Sequence, residues 1–293
     1  MDPESGQLFD RHRDHIRAVA YRMLGSPTEA DDAVQETWLR LAATGTGDID
    51  NPPAWLTTVV SRICLDMLRT RATRREDLAG QQLPDGATSE RDPEAEALLA
   101  DSVGRALLVV LDRLTPSERI AFVLHDMFAV TFDEIAPIVD RSPATAKKLA
   151  SRARAKVRGR PDIPATELAR HRHTVERFLA AARSGDLDAV LDVLSPDVIR
   201  RADPHALGPG RPAEARGAAT VAREIATFGR NSRFATVLLA DDAPALAIAP
   251  HTRLHLLVRF TFDGDRITEY ELVADPARLQ HIRLAVLPDP APA

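Results

Sequence analysis

Residues 131–157 hold two helix-forming stretches separated by only three residues, and that spacing leaves few folds open. Thr131-Phe132-Asp133-Glu134 is a capping box. The threonine hydroxyl can accept an N–H of the first turn while the glutamate reaches back to the threonine N–H. A short helix is predicted over about 132–139, a turn at Asp140-Arg141-Ser142, and a longer helix from Pro143, a residue suited to the first helical position. Two short helices joined this tightly are a helix-turn-helix arrangement. In the second, Ala146, Leu149, Ala150, Ala153 and Val157 fall on one stripe, the packed face. The opposite side carries Ala144, Lys147, Lys148, Ser151, Arg152 and Ala155. Pro137, at the sixth position of the first helix, costs a hydrogen bond and predicts a short or kinked helix.

Charge bears on what that second helix does. The chain of 293 residues carries a net charge of −5, which looks wrong for a nucleic-acid binder until it is resolved locally. Residues 141–160 hold eight Lys and Arg, Arg154 among them, and no acid. Residues 62–75 hold five Arg, including Arg62, Arg69, Arg71 and Arg74, against Asp66 alone. Small outer residues let a helix enter a DNA major groove about 12 Å wide, where Lys and Arg meet phosphates or guanine edges. Ser142 and Thr145 sit at the helix start, where backbone N–H groups favour phosphate. The plainer reading is a solvated surface helix whose cations suit its own C-terminal dipole. Caps, turn length, small outer residues and uncompensated cations together favour DNA.

Helix starts recur upstream. Ser26-Pro27-Thr28-Glu29 reads as a capping box with proline in first position, and Asn51-Pro52 and Thr115-Pro116-Ser117-Glu118 read similarly. Thr44–Asp50 forms a loop. Residues 76–97 are rich in acid, Gly and Pro and read as a linker. Residues 159–167, with a glycine and two prolines, end a second helical unit. The expected divisions are therefore 1–75, a linker over 76–97, 98–160, and a last domain over 168–288. That domain begins with helices over about 170–183 and 186–194. Strands follow at Phe234–Ala240, Ala245–Ala249, Arg253–Phe262 and Arg266–Ala274, the last two joined by the Asp263-Gly264 turn. A short helix follows Asp275-Pro276. The expectation is two all-α domains and an α+β domain with an antiparallel sheet.

Aromatic residues are only 4% of the chain, so Leu, Val, Ile and Ala must build the cores. Cys64 is the single cysteine, which rules out an internal disulfide and a cysteine zinc cluster. No apolar run approaches the ~18 residues of a membrane span, and the acidic start is no signal peptide. The expected setting is the cytoplasm, with no membrane contact, no cofactor and no metal. Over 29–41, Ala33, Val34, Trp38 and Leu41 form an apolar face. Asp31, Asp32, Gln35 and Glu36 either complement the helix dipole or form a protein-binding face. The next helix has an inner face of Leu56, Val59, Val60, Ile63 and Met67, with Trp55 in the core. In the last domain Asp203, His205 or His255 could act as a general base. No paired acid/base motif stands out, which favours a structural role.

Three runs carry a family resemblance: Tyr21-Arg22-Met23-Leu24-Gly25, Glu29 through Arg40, and Trp55 through Asp66. They resemble region 2 of extracytoplasmic-function (ECF) sigma factors of the sigma-70 family. Leu114 through Arg119, Phe132 through Ala136, Arg141-Ser142-Pro143 and Ala150 through Arg154 resemble region 4. The last part resembles a SnoaL-like domain, a cone-shaped α+β fold with a curved sheet, and the whole looks like the SigJ-type subgroup. Gln82-Leu83-Pro84-Asp85 keeps only Leu-Pro and an acid of the subgroup's Trp-Leu-Pro-Glu-Pro motif. Asp203-Pro204-His205 poorly matches an Asp-Gly-Gly-Gly-Arg loop. Asp275-Pro276-Ala277-Arg278-Leu279 better matches Asn-Pro-Asp-Lys-Leu.

The resemblance implies an alternative sigma factor, not an enzyme, whose partners are RNA polymerase core and promoter DNA. It implies that Asp31, Asp32, Gln35, Glu36, Leu39 and Arg40 meet the β′ clamp helices, and that region 4 also meets the β flap. It assigns the −10 element to Asn51, Arg62, Arg69, Arg71 and Arg74. It assigns the −35 element to Ser142, Ala144, Thr145, Lys147, Lys148, Ser151, Arg152 and Arg154. Control in cis is expected through Leu83, Pro84, Asp85, Asp203, Asp275, Pro276, Arg278 and Leu279, with the last domain holding the two sigma domains in one arrangement.

Overall fold

The structure is a computed structural model that describes residues 3–47, 49–77, 102–161, 163–207 and 210–288. Leu83, Pro84 and Asp85 lie outside the described residues. The chain forms two compact units. One comprises Met1–Ala79 with Leu111–Ala155, the other Gly80–Val110 with Lys156–Ala293.

The first unit is helical: α1 (Pro3–Leu24), α2 (Pro27–Thr44), α3 (Pro52–Asp77), α5 (Pro116–Phe122), α6 (Phe132–Val139) and α7 (Pro143–Arg158, whose last residues belong to the second unit). Its core is aliphatic, with Ile16, Met23, Leu24, Leu41, Leu56 and Leu65 fully buried. Local chemistry starts the helices as expected, with one difference. Ser26 Oγ accepts the Glu29 N–H at 3.4 Å, but the Glu29 carboxylate turns to Arg71, so the capping box at α2 is half made. Asn51 Oδ1 accepts the Ala54 N–H at 3.3 Å. Both later boxes are complete, at Thr115–Glu118 and Thr131–Glu134.

α3 buries more of its circumference than a single apolar stripe provides. It packs on α1 and α2 and also on α5 and α6. Thr57 and Ser61 are therefore buried, while Val59 and Met67, expected inside, are half-buried. The two hydroxyls donate to carbonyls one turn back, Pro53 O at 2.9 Å and Thr57 O at 2.6 Å, which removes the cost of burying them. A π-helical turn, Val123–Met127, follows α5. α6 holds Pro137 and ends two residues later at Val139, followed by Asp140, left-handed at φ 55 and ψ 55, whose N–H caps Ala136 O. Aspartate tolerates that region better than most side chains, and the Asp140-Arg141-Ser142 turn is as short as expected.

The second unit comprises α4 (Ser102–Leu111), α8 (Ala165–Ser184), α9 (Leu187–Val193), β1 (Leu194–Ala202), β2 (Glu214–Arg216), α10 (Ala218–Phe228), β3 (Ala235–Ala240), β4 (Ala243–Ile248), β5 (Leu256–Asp263), β6 (Arg266–Val273), α11 (Pro276–His281) and β7 (Leu284–Ala285). Among the described residues seven strands form one sheet in the order β2-β1-β6-β5-β4-β3-β7. The antiparallel expectation needs correcting: β1 pairs with β6 in parallel. A parallel pair needs a long crossover, and everything from β2 to β5 lies between these two. β5 starts at Leu256, later than the alternation suggested, and buries Leu257 and Val258 on opposite faces. On the inner side Phe178 of α8 packs against Phe260 and Tyr270, with ring centroids 5.3 and 5.9 Å away. Arg200, 1% exposed, is held in this unit by a bidentate pair with Glu224, at 3.0 and 2.9 Å, and by Pro212 O at 2.8 Å.

Candidate nucleic-acid interface

α7 has the two faces its sequence predicts. Ala146, Ala150, Ala153 and Val157 are buried, with Leu149 half-buried. Ala144, Lys147, Lys148, Ser151, Arg152 and Ala155 are exposed together on the other side. Among the described residues Lys147, Lys148 and Arg152 have no carboxylate partner. At the helix start Ser142 Oγ accepts the Thr145 N–H at 3.3 Å and lies 2.9 Å from Thr145 Oγ1. Arg154 departs from expectation. Its Nε donates to Asp126 Oδ1 at 2.6 Å, which ties it to the π-helical turn of its own unit and raises its pKa above the usual arginine value.

The arginines of α3 have unequal surroundings. Arg62 and Arg69 are exposed. One Arg62 nitrogen donates to Pro137 O at 3.3 Å, a carbonyl at the C-terminal end of α6, where the dipole favours a cation. Arg69 stands 3.7 Å from Asp66. Arg71 was grouped with them by sequence, but its side chain is only 12% exposed and it joins Leu24 O and Glu29. It ties the end of α3 to the α1–α2 corner. Arg74 lies in α3, and Asn51 spends its side-chain oxygen on the helix start.

On α2, Asp32, Gln35, Glu36 and Leu39 are exposed together, and Leu39 at 55% is a large apolar side chain open to solvent. Asp31 makes a two-point contact with Arg17, at 2.6 and 3.3 Å. Arg40 pairs with Glu36 at 3.2 Å. Beside this face a groove of about 460 Å³ runs between α1 and α2, walled by Phe9, Asp10, Asp32, Val34, Gln35 and Trp38. The Phe9 and Trp38 rings lie 5.0 Å apart. Sequence reasoning missed Arg17, Asp126 and this groove. Each partner is far along the chain and no local pattern announces it.

In the second unit Asp203, Asp275 and Arg278 come together. Asp203 is 8% exposed. Its Oδ1 accepts the Ala206 N–H at 3.0 Å, and its Oδ2 accepts the N–H groups of Ala274 and Asp275 at 2.8 and 2.9 Å. Arg278 lies 3.7 Å from Asp203 and 2.6 Å from Glu271. Asp275 caps α11 ahead of Pro276, and Leu279 is buried. His205 is exposed and His255 half-buried. Among the described residues no group of His, Cys, Asp and Glu could hold a metal ion, and no helix is long and apolar enough to cross a membrane.

Residues 8–74 match Sigma-70 region 2 and residues 104–157 match Sigma-70, region 4. The ECF RNA polymerase sigma factor SigJ of Mycobacterium tuberculosis is 43% identical over 242 residues, which cover 81% of this chain and 77% of that protein. The chain belongs to the extracytoplasmic-function RNA polymerase sigma factors. It is of the SigJ type and acts as an alternative sigma factor that binds RNA polymerase core and promoter DNA to direct transcription. The probable ECF sigma factor SigI of the same organism is 34% identical over 291 residues, covering 96% of this sigma factor and 97% of that one. The crystal structure of the M. tuberculosis sigma factor SigJ aligns with 92% of this sigma factor and 96% of that chain, at 33% identity and a TM-score of 0.45.

Proposed function

We propose that the exposed face of α7 reads the −35 element, that Asn51, Arg62, Arg69 and Arg74 of the α3 segment hold the −10 element, and that Asp32, Gln35, Glu36 and Leu39 of α2 dock on the β′ clamp helices, region 4 also meeting the β flap. The observation that carries this is the two-faced α7: a stripe of buried alanines behind, and an exposed front of small residues, Lys147, Lys148 and Arg152. Small side chains bring the backbone close to base edges, and the cations take phosphates. Arg71 and Arg154, engaged with Glu29 and Asp126, act by fixing their helices. At the −10 element, strand separation costs a few kcal/mol per unstacked step, which cationic side chains along α3 offset by holding the backbone.

The SnoaL-like domain, on this reading, modulates the sigma factor in cis and turns over no substrate. Asp203, one of three general-base candidates by sequence with His205 and His255, has both oxygens engaged by backbone N–H groups. It fastens the 203–206 turn to Ala274-Asp275, so two of the expected regulatory segments meet there. The expected setting remains the cytoplasm. The test is association with core polymerase. Asp32→Ala/Gln35→Ala/Glu36→Ala in one chain should lower recovery in a core pull-down by about tenfold or more, as for loss of a docking hot spot, while the melting temperature stays near that of the parent. Undiminished recovery would reject the α2 assignment.

A further inference from the structure

The second unit holds a cavity of about 180 Å³ beside α8 and β3. Leu179 and Ala180 of α8, Val237 of β3, Ala106 of α4, and Val286 and Leu287 after β7 supply apolar walls. One part of it is cationic. Arg183 lines the cavity and donates from Nε to Ser232 O at 3.2 Å and from a terminal nitrogen to Ala235 O at 2.8 Å. Arg105, next to Ala106, donates to Arg233 O at 3.1 Å. These three carbonyls belong to one short stretch, 232–235, which puts the two guanidinium groups within reach of each other's charge. Burial, and then the charge of Arg105, push Arg183 below the ordinary arginine value.

Neither guanidinium has a carboxylate partner among the described residues, and Nε of Arg105 is buried with no acceptor. Arg172 also lines the cavity, but Glu176 meets it at 2.8 Å. Like charges held together without a counter-charge are costly, and an orphaned buried donor costs about 1–3 kcal/mol. An anion relieves both. We propose that this cavity binds a small organic carboxylate, its head held by Arg183 and Arg105 and its apolar body against Ala106, Leu179, Val237 and Leu287. A guanidinium fork fits a carboxylate edge. A cavity of roughly 150 Å³ is known to take one benzene ring, so the occupant is a single ring or a short branched chain. Nucleotides and long acyl chains are too large.

The test is calorimetric titration of the full chain with benzoate, phenylacetate and 3-methylbutanoate, each at millimolar concentration. Benzyl alcohol serves as a neutral control and sulfate as a control for plain anion binding. At least one carboxylate should bind, with benzyl alcohol and sulfate weaker by about tenfold or more, the weight of one charge-assisted hydrogen bond. Ala106→Trp should abolish binding by filling the cavity. If that variant melts early, Arg105→Gln, which removes the guanidinium but keeps much of the side chain's length, should weaken carboxylate binding about tenfold and leave the fold intact. Absence of heat with all three carboxylates overturns the proposal. So does binding that sulfate matches, or that survives both substitutions.

Discussion

His171 lies flat against Phe262, with ring centroids 4.1 Å apart and planes 10° from parallel. Burial holds its pKa below the ordinary histidine value. Glu167 and Asp265 act to raise it and Arg170 to lower it. The unfolded chain therefore takes up a proton first as pH falls through about 6.5, and stability is lost from there down to the lower folded value. The expected result is a melting temperature that drops as pH falls below about 6.5, and drops less in His171→Phe. Equal drops would show that other groups set the acid sensitivity. At this scale the sequence told which residues carry charge but not where each charge is spent. Arg71 and Arg154 looked equivalent to their neighbours. Their partners, Glu29 and Asp126, lie 42 and 28 residues away, beyond any helical period.

The helix-turn-helix was legible as an element because its signals are local. Thr131, Asp140 and Pro143 each act within one turn, and the alanine stripe of α7 follows the 3.6-residue period. The exposed pair Lys147 and Lys148 carries the corresponding prediction. Lys147→Ala/Lys148→Ala should weaken binding to a promoter fragment and make its salt dependence shallower by about 2 in log–log slope, since each phosphate contact contributes about 0.9. Fluorescence anisotropy of the polymerase complex across a salt series reads both, and an unchanged slope would count against phosphate contact there. β1 was not legible. Pro196, Asp197, Arg200 and Arg201 are poor strand residues by propensity. They become strand because Arg200 finds Glu224 in α10, and because β6 offers a parallel edge. β7, only two residues long, carries no periodicity to read. α3 misled for a related reason: Thr57 and Ser61 look like surface residues until two layers of helix close over them.

Across the whole molecule, division of the chain in space does not follow division along the sequence. α4 opens the span that matches region 4, yet it belongs with the sheet-containing unit. The same unit holds the end of α7, where Val286 donates to Val157 O at 2.8 Å and Arg160 N–H meets Asp242 at 3.2 Å. Removing residues 168–293 strips both groups of their partners. Run-off transcription with core polymerase should then fall several-fold relative to the full chain, as expected when marginal stability is lost from the helix proposed to read the −35 element. Equal output from both chains would remove the regulatory role in cis. Helical domains followed by an α+β region were readable from caps and alternation. The sharing of helices between compact units was not, because it depends on contacts across more than a hundred residues.

Gly159, just past the end of α7, sits at φ +60 with its bare α-carbon against the last strand. A methyl group placed there would come within 2.7 Å of the Ala285 side chain. Nothing larger than hydrogen passes at that point, so an alanine would have to lever the chain terminus outward to fit. A single atom's width thus governs how closely the backbone at Gly159 can lie against β7.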